Sequence, residues 1–322
     1  MDKCRKSIGI LGAGAFGTAL AIVYARTFNV TLFSYFEDHL NSMKENKAND
    51  FIEKVQIPCD IHLDITKNLT ANQFDYLFWA FPIKPTIEIF EELKINMNGT
   101  NVIICSKGLL PDASFLYDMF EKEITQSKIG YLSGPNFAIE LAEGKVAAAD
   151  IASKNFNVAV FFAADLTTPT FKLCPFNDVI GIQICGAIKN IIAIGSGIID
   201  GLNLGQNAHA AFLTFALFEM KDLGVKLGAN ETTFYRLCGL GDLILTATGL
   251  TSRNASLGSK IANGELLDDI LKKNKSTCEG CDTIAQVIKL ARKNAIKLPI
   301  CEEIYKILFE NQAPLSILNA FK

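Results

Sequence analysis

The stretch that decides the fold is SIGILGAGAFGTALAIVYA, residues 7–25. Its apolar start, 8–11, predicts a short buried strand, and its second half predicts a helix from about Phe16. Between them lies GAGAFG, residues 12–17, whose three glycines indicate a tight turn. A strand, a glycine turn and a helix in this order are typical of the first unit of an α/β domain.

The spacing of the glycines predicts a dinucleotide site. Gly12 permits the tight turn, Gly14 lets a pyrophosphate approach the backbone, and Gly17 lets the helix pack closely against the strand. The first N–H groups of the helix suit the same phosphate. The alternative is a turn that binds nothing, but the position at the start of a repeating strand–helix pattern favours the dinucleotide.

The residues that follow repeat this pattern. Short apolar strands alternate with amphipathic helices, which predicts a parallel sheet with helices on both faces. Further strands are expected at 30–33, 76–81, 101–109, 129–135 and 145–153.

The character of the chain changes after about residue 178, where the segments become long and helical. Helices are expected at 179–200, 207–224, 230–238, 253–263, 282–294 and 300–310. We therefore predict two domains in the 322-residue chain. A Rossmann-like, doubly wound α/β domain, 1–178, binds the dinucleotide, and an all-helical domain, 179–322, carries the substrate and catalytic residues.

Composition excludes several classes of protein. The chain is 49% hydrophobic and 20% charged, so it has enough apolar material for packed cores. Its net charge is −3 and it has no marked cluster of lysine and arginine, which argues against nucleic-acid binding.

Nine scattered cysteines, without an export signal, indicate reduced thiols in a cytoplasmic protein. Cys278 and Cys281 have the C-x-x-C spacing of metal and redox sites. A zinc site normally needs a second pair of ligands, and none of the three histidines is suitably spaced, so we expect no metal.

Two stretches resemble membrane or export signals. The N-terminus has a basic start and an apolar run, but its glycines fit a strand–turn–helix better than a signal peptide. Residues 179–199 reach membrane-spanning length, yet they carry Lys189 and Asn190 at their centre. A charge at that depth in lipid costs about 3 kcal/mol or more. We therefore predict a buried helix and no membrane insertion.

Lys189 is unusual because the residues around it are apolar or very small. Removal from water lowers the pKa of a lysine, and a second nearby cation lowers it further. Such an amine can act as the general base that oxidation of a hydroxyl requires. Lys107, just past a predicted strand, is the candidate second cation. The alternative is that Lys189 extends its ammonium group to solvent.

Other polar residues interrupt apolar sequence nearby. Asp242 and Thr246 lie four positions apart, on one face of a helix. Ser252, Arg253 and Asn254 stand where a helix begins, which suits a phosphate held by a guanidinium, a hydroxyl and helix N–H groups. An ordinary helix cap at Ser252 and a surface ion pair at Arg253 are the alternatives.

Nearly the whole chain resembles the bacterial type of NAD(P)-dependent glycerol-3-phosphate dehydrogenase. The resemblance is carried by GAGAFGTALA, SKGL, SGPNFAIELAEG, GAIKNIIAIGSGIIDGLNLGQNAHAA, GLGDLILTATGLTSRN, CEGCDT and LPICEEIYKIL. It implies that Lys189 is the proton acceptor. Around glycerol 3-phosphate it implies Lys107, Gly134, Asn136, Asp242, Ser252, Arg253 and Asn254. Near the dinucleotide it implies Ala15, Phe16, Tyr35, Lys107, Ala138, Arg253, Thr277 and Glu279.

Three positions depart from the family pattern. Phe16 replaces a tryptophan or tyrosine, Asn136 a serine or threonine, and Tyr35 a histidine or arginine. Because neither an acidic residue nor an arginine stands at the tip of the second strand, the choice between NAD and NADP stays open. The resemblance also implies a homodimer that supplies glycerol 3-phosphate for phospholipid synthesis. The alternatives are a related hydroxy-acid dehydrogenase and a non-catalytic dinucleotide-binding protein.

Overall fold

A computed structural model of the chain describes residues 5–52, 55–249, 252–273 and 278–321. The chain divides into two compact units. Unit 1 comprises 1–106, 117–132 and 136–177, and unit 2 comprises 107–116, 133–135 and 178–322.

Unit 1 is built on an eight-stranded sheet with the strand order β3-β2-β1-β4-β5-β6-β7-β8. The strands are β1 (Ser7–Leu11), β2 (Asn29–Ser34), β3 (His62–Ile65), β4 (Tyr76–Trp79), β5 (Asn101–Ile104), β6 (Ile129–Ser133), β7 (Ala147–Ala152) and β8 (Phe171–Phe176). All pairings whose register is described are parallel. The central strands are buried along their length, as strands covered on both faces must be. The predicted Rossmann-like α/β class is confirmed.

Six helices connect these strands. They are α1 (Ala15–Ala25), α2 (Glu37–Asn46), α3 (Thr86–Met97), α4 (Leu116–Glu123), α5 (Ala138–Ala142) and α6 (Phe156–Leu166). Between α1 and the sheet lies a core of aliphatic and aromatic side chains, in which Tyr24 packs on Phe78 with ring centroids 5.2 Å apart. The first helix begins at Ala15, within the GAGAFG stretch and one residue before the predicted start at Phe16.

The described residues of unit 2 from 178 onward are mainly helical. Its helices are α7 (Val179–Gly201), α8 (Gln206–Lys226), α9 (Asp242–Thr248), α10 (Arg253–Ala262), α11 (Leu267–Lys273), α12 (Glu279–Lys293) and α13 (Pro299–Phe309). The α-helix predicted at 230–238 is wrong. A 3₁₀ turn, Glu231–Tyr235, and a π turn, Leu237–Gly241, occupy that region instead. A Cβ on Gly239 would lie 2.4 Å from the carbonyl oxygen of Phe234, so only glycine permits this tight reversal.

Helix α7 is the central, buried helix of unit 2. By length and composition it is long and apolar enough to cross a membrane, but its most apolar stretch is entirely buried within the protein. Every residue from Gly181 to Ile199 is buried, Lys189 and Asn190 included. A charged side chain in such a position needs partners, which the site below supplies.

Candidate active site

Two amines and one carboxylate form a buried cluster within unit 2. Lys189 projects from α7, Asp242 is the first residue of α9, and Lys107 comes from the segment 107–116. Lys107 Nζ donates to Asp242 Oδ2 at 2.7 Å. Lys189 Nζ donates to Asp242 Oδ1 and to Thr246 Oγ1, the latter at 3.1 Å. Thr246 is thus one helical turn from Asp242 on the face that the spacing predicted.

This arrangement gives the two amines different acid strengths. Burial, and then the nearby charge of Lys107, lower the pKa of Lys189 to about 7, although the Asp242 carboxylate opposes them. Burial also acts to lower the pKa of Lys107, but attraction to Asp242 outweighs it and the pKa of Lys107 is raised. Burial acts to raise the pKa of Asp242, yet the two ammonium groups outweigh it and hold that pKa below its usual value. Lys189 is therefore the amine that can exchange a proton near neutral pH.

Close helix packing brings the start of α10 to α7. A Cβ on Gly197 would lie 1.9 Å from the carbonyl oxygen of Ala255, and one on Gly258 would lie 1.9 Å from that of Ile194. Any larger side chain at either position would push the two helices apart. The paired glycines thus allow the first turn of α10 to reach the polar centre of α7.

Asn190 joins three elements at that centre. Its Nδ2 donates to Glu279 Oε2 at 2.8 Å, and its Oδ1 accepts from Asn254 Nδ2 at 3.1 Å. Asn254 Oδ1 in turn accepts the N–H of Gly280 at 3.4 Å. Because Asn190 follows Lys189 directly, these hydrogen bonds fix the starts of α10 and α12 next to the amine cluster.

The start of α10 carries the predicted phosphate residues. Ser252 is the N-cap, and its Oγ accepts the N–H of Ala255 at 3.3 Å, so the helix-cap interpretation of Ser252 is correct. Arg253, the first residue of the helix, is exposed, and Asn254 is half-buried. A guanidinium next to the N-terminus of a helix forms a favourable environment for an anion.

In unit 1 the glycine turn fits a pyrophosphate. Gly12 has φ +111°, and a Cβ on it would lie 2.9 Å from the carbonyl of Ala80. A Cβ on Gly17 would lie 2.0 Å from the carbonyl oxygen of Gly12. Gly14, by contrast, faces open space and is the N-cap of α1, with no side chain capping the helix. The first N–H groups of α1 are thus left without a side-chain acceptor, and the turn has room for a ligand.

The end of β2 carries the residues expected at the adenosine end of a dinucleotide. The hydroxyl of Tyr35 donates to the two carboxylate oxygens of Glu92 at 3.1 and 3.2 Å. Glu37, at the start of α2, forms an ion pair with Lys67. Acidic groups therefore accompany Tyr35, where an arginine would favour a 2′-phosphate.

A further polar group in unit 1 is available to a ligand. Both amide atoms of Asn136 are buried and lack a hydrogen-bond partner within the described ranges. Burying an unsatisfied amide is costly, so a bound polar group would stabilise it. Two residues on, Ala138 begins α5, which packs on α1, the helix that starts with Ala15 and Phe16.

Comparison with models of protein families identifies one family for both halves of the chain. Residues 7–159 match the model described as NAD-dependent glycerol-3-phosphate dehydrogenase N-terminus, and 178–319 match that of the C-terminus. The chain belongs to this family.

Relatives of known name and structure span the whole chain. A protein of Wigglesworthia glossinidia brevipalpis named glycerol-3-phosphate dehydrogenase (NAD(P)+) is 35% identical over 98% of each chain. A Francisella tularensis protein of the same name is 36% identical over 98% of this chain and 96% of its own. The crystal structure of glycerol-3-phosphate dehydrogenase from Coxiella burnetii superposes with a TM-score of 0.93, at 32% identity and 99% coverage of both chains.

In this member of the glycerol-3-phosphate dehydrogenase family, the predicted site residues fall into several spatial groups. Lys107, Lys189, Asp242 and Thr246 form the amine cluster. Asn254 and Glu279 bond to Asn190, and Ser252 and Arg253 directly precede Asn254 at the start of α10. Gly134 belongs to the segment 133–135 of the same unit. Gly12, Gly14, Ala15, Phe16, Gly17, Tyr35, Asn136 and Ala138 belong to unit 1. Thr277 lies outside the described residues.

Asn190 and a second buried group were not predicted. His209 lies between Asp200 Oδ1, 2.9 Å from its Nδ1, and Ser196 Oγ, 2.6 Å from its Nε2. The Asp–His–Ser arrangement resembles the catalytic triad of a hydrolase. Ser196, however, is fully buried and donates to the carbonyl of Ala247 at 2.8 Å. We therefore interpret it as a structural link from α7 and α8 to the end of α9.

Proposed function

We propose that this chain, an NAD(P)-dependent glycerol-3-phosphate dehydrogenase by family, uses Lys189 as the general acid and base of its reaction. The substrates are dihydroxyacetone phosphate and, in reverse, sn-glycerol 3-phosphate. The supporting observation is a buried amine, held by Asp242 and Thr246, whose pKa is lowered to about 7. Bound NAD(P)H supplies the hydride in one direction, and NAD(P)+ accepts it in the other.

Lys189 moves the proton that accompanies the hydride. In reduction, its ammonium group donates a hydrogen bond to the ketone oxygen and then gives up the proton as the hydroxyl forms. In oxidation, the neutral amine takes that proton from the hydroxyl. Lys107 stays charged because its pKa is raised, so it stabilises negative charge on the substrate oxygen and keeps Lys189 a weaker base.

Arg253, Asn254 and the first turn of α10 hold the phosphate in this proposal. A guanidinium donates to two phosphate oxygens at once, and the helix N–H groups add to the attraction. Phosphate binding then fixes the carbonyl carbon of the substrate, and binding energy away from the reacting atoms lowers the barrier of the chemical step.

The glycine turn holds the dinucleotide, with Tyr35 towards its adenosine end and Glu279 and Arg253 as further contacts. Accordingly, residues 1–178 are the dinucleotide domain and 179–322 the substrate domain. We place the enzyme in the cytoplasm as a supplier of glycerol 3-phosphate for phospholipid synthesis. We also propose a homodimer, and Phe215 and Phe218 of α8, which are 43% and 46% exposed, are available for such contacts.

The reaction is tested by mixing purified protein with dihydroxyacetone phosphate and either NADH or NADPH. We expect loss of the reduced-nicotinamide absorbance, with equimolar formation of glycerol 3-phosphate. Unphosphorylated dihydroxyacetone and 2-keto acids are the controls, and they should be turned over at least about 100-fold less efficiently because the phosphate anchor is unused. Preference for a keto acid would favour the hydroxy-acid dehydrogenase. Cofactor binding without turnover of any substrate would favour the binding protein.

Replacing Arg253 tests the phosphate anchor. In Arg253→Ala we expect KM for dihydroxyacetone phosphate to rise by about 10- to 100-fold, because a charge-assisted pair of hydrogen bonds is removed. The Kd for the dinucleotide, measured by titration calorimetry, should change far less, by no more than about 3-fold, because Arg253 is only one of several contacts there. Arg292→Ala, at an exposed arginine in the last turn of α12, is the matched control and should leave both constants unaltered. A defect in dinucleotide affinity with no change in KM would mean that Arg253 contacts the cofactor and not the substrate phosphate.

A further inference from the structure

Two cysteines meet at the start of α12. Cys278 is the N-cap of the helix and Cys281 is its third residue, and their Sγ atoms lie 2.8 Å apart. The N-cap side chain and the side chain three residues later face each other in helices, as in the capping box. The backbone therefore already presents the two sulfurs to each other at a separation that side-chain rotation can close to a bond.

The two thiols differ in reactivity. The hydrogen bond between the two sulfurs holds the pKa of the Cys278 thiol below its ordinary value, although burial opposes this. The same interaction, followed by burial, raises the pKa of Cys281. Cys278 is thus the nucleophile and Cys281 the resolving thiol, and a thiolate at a helix N-cap is further stabilised by the helix dipole. Both residues are partly exposed, so small reagents reach them.

We propose that Cys278 and Cys281 form a reversible dithiol–disulfide pair that is oxidised by hydrogen peroxide. The Cys278 thiolate attacks one peroxide oxygen, the O–O bond breaks, and Cys278 becomes a sulfenic acid. The hydroxide that leaves takes up the proton that the Cys278 thiol had lost and departs as one water. Cys281 then attacks the Cys278 sulfur, the S–O bond breaks, and the oxygen leaves as a second water. Two electrons pass from the two thiols to the peroxide. A dithiol reductant reverses the step by exchange.

The pair is connected to the candidate active site. Cys278 Sγ donates to Asn254 Oδ1 at 3.5 Å, and Asn254 is bound to Asn190, which follows Lys189. Disulfide formation consumes the thiol hydrogen and leaves Asn254 Oδ1 with the Gly280 N–H alone. A Cβ on Gly280 would lie 2.7 Å from the carbonyl oxygen of Asn190, so the first turn of α12 has little room to shift instead.

The consequence for the enzyme rests on the proposed function, in which Asn254 helps to hold the substrate phosphate. The disulfide form no longer has the hydrogen bond from Cys278 to Asn254, which helps to orient that amide. We therefore expect its KM for dihydroxyacetone phosphate to be about 2- to 10-fold higher, the effect of one hydrogen bond.

A metal is a poorer interpretation of the same sulfurs. Two thiolates supply half of a tetrahedral zinc site. Across the described part of the chain, no group of three or more His, Cys, Asp or Glu side chains is placed to hold a metal ion.

The experiment treats reduced, full-length protein with hydrogen peroxide, alkylates it under denaturing conditions, and maps the cysteines by mass spectrometry. We expect Cys278 and Cys281 to escape alkylation and to be found as a disulfide, with a mass lower by two hydrogens. Dithiothreitol should restore both cysteines to thiols that can be alkylated. Cys59→Ser removes an exposed cysteine and should still form the disulfide. Cys281→Ser should form none and should accumulate sulfenic or sulfinic acid at Cys278.

Alkylation of both Cys278 and Cys281 after this treatment would overturn the redox pair. A disulfide that leaves KM unchanged would overturn its connection to Asn254. The mass readout needs no turnover, and the activity of the fully reduced protein tests the proposed function separately. A failure of one proposal is therefore distinguishable from a failure of the other.

Discussion

Lys189→Met is expected to lower kcat by about 10³-fold in both directions, the usual effect of losing a general acid–base group. Methionine preserves most of the side-chain length and suits the apolar surroundings of α7, so the decrease reports chemistry more than packing. The Kd for the dinucleotide should stay within about 3-fold, because the glycine turn belongs to the other unit. Single-turnover measurements give the rate of hydride transfer, and calorimetric titration gives the Kd for the dinucleotide.

The pH dependence supplies the second readout for Lys189. Oxidation needs the neutral amine, so its kcat should rise as the pH increases through about 7, and reduction needs the ammonium form, so its kcat should fall over the same range. Lys189→Arg keeps a cation that does not titrate in this range and should abolish both trends. Lys226→Met, at an exposed lysine that ends α8, is the matched control and should retain activity and pH profile. Unchanged turnover in Lys189→Met would show that another group moves the proton.

The sequence indicates the fold because its main signals are local. The glycine turn and the buried central strands can each be recognised within a few residues, and the long helices of unit 2 are evident from their length. The two strands that the sequence analysis missed, β3 and β8, are the two edges of the sheet. β3 has only four residues, two of them charged or titratable, and β8 contains Pro175, which an edge strand tolerates because one side of its backbone needs no partner.

Site residues could be predicted from the sequence where a charged or polar residue stands among apolar ones. Lys189 stands out as an amine in an apolar helix, and Asp242 and Thr246 as a polar pair at helical spacing. That Asp242 lies between Lys189 and Lys107 depends on tertiary packing, since it is 53 and 135 positions from them. Asn190 was missed as a link because a buried amide has no distinctive sequence signal. Its role follows from Glu279 and Asn254, which reach it only after folding.

Asp242→Asn is expected to destabilise the protein by about 3–5 kcal/mol, the usual cost of removing one partner of a buried charge pair. The carboxylate is 2% exposed and is the acceptor shared by Lys107 and Lys189. An amide has the same shape, but it lacks the charge and replaces one acceptor oxygen by an NH₂ donor that faces another donor. Denaturation in urea at pH 7 measures the destabilisation. Asp222→Asn, on α8 at a site that is 67% exposed, is the matched control and should cost less than about 0.5 kcal/mol.

The pH dependence of the free energy of unfolding tests whether charge causes this destabilisation. In the wild type the folded-state pKa of Asp242 is depressed, so its contribution is present above the unfolded pKa and is lost as the pH falls through the folded one. Asp242→Asn leaves two buried ammonium groups face to face, so raising the pH should remove a proton and restore part of the stability. Adding Lys107→Met to Asp242→Asn removes one of the two cations and should likewise recover part of the stability, measured as the coupling energy of a double-mutant cycle. If Asp242→Asn alone were as stable as the Asp222→Asn control, the cluster would not be held together by charge. Asp242 would then not be the charge that holds the two amines together at this site.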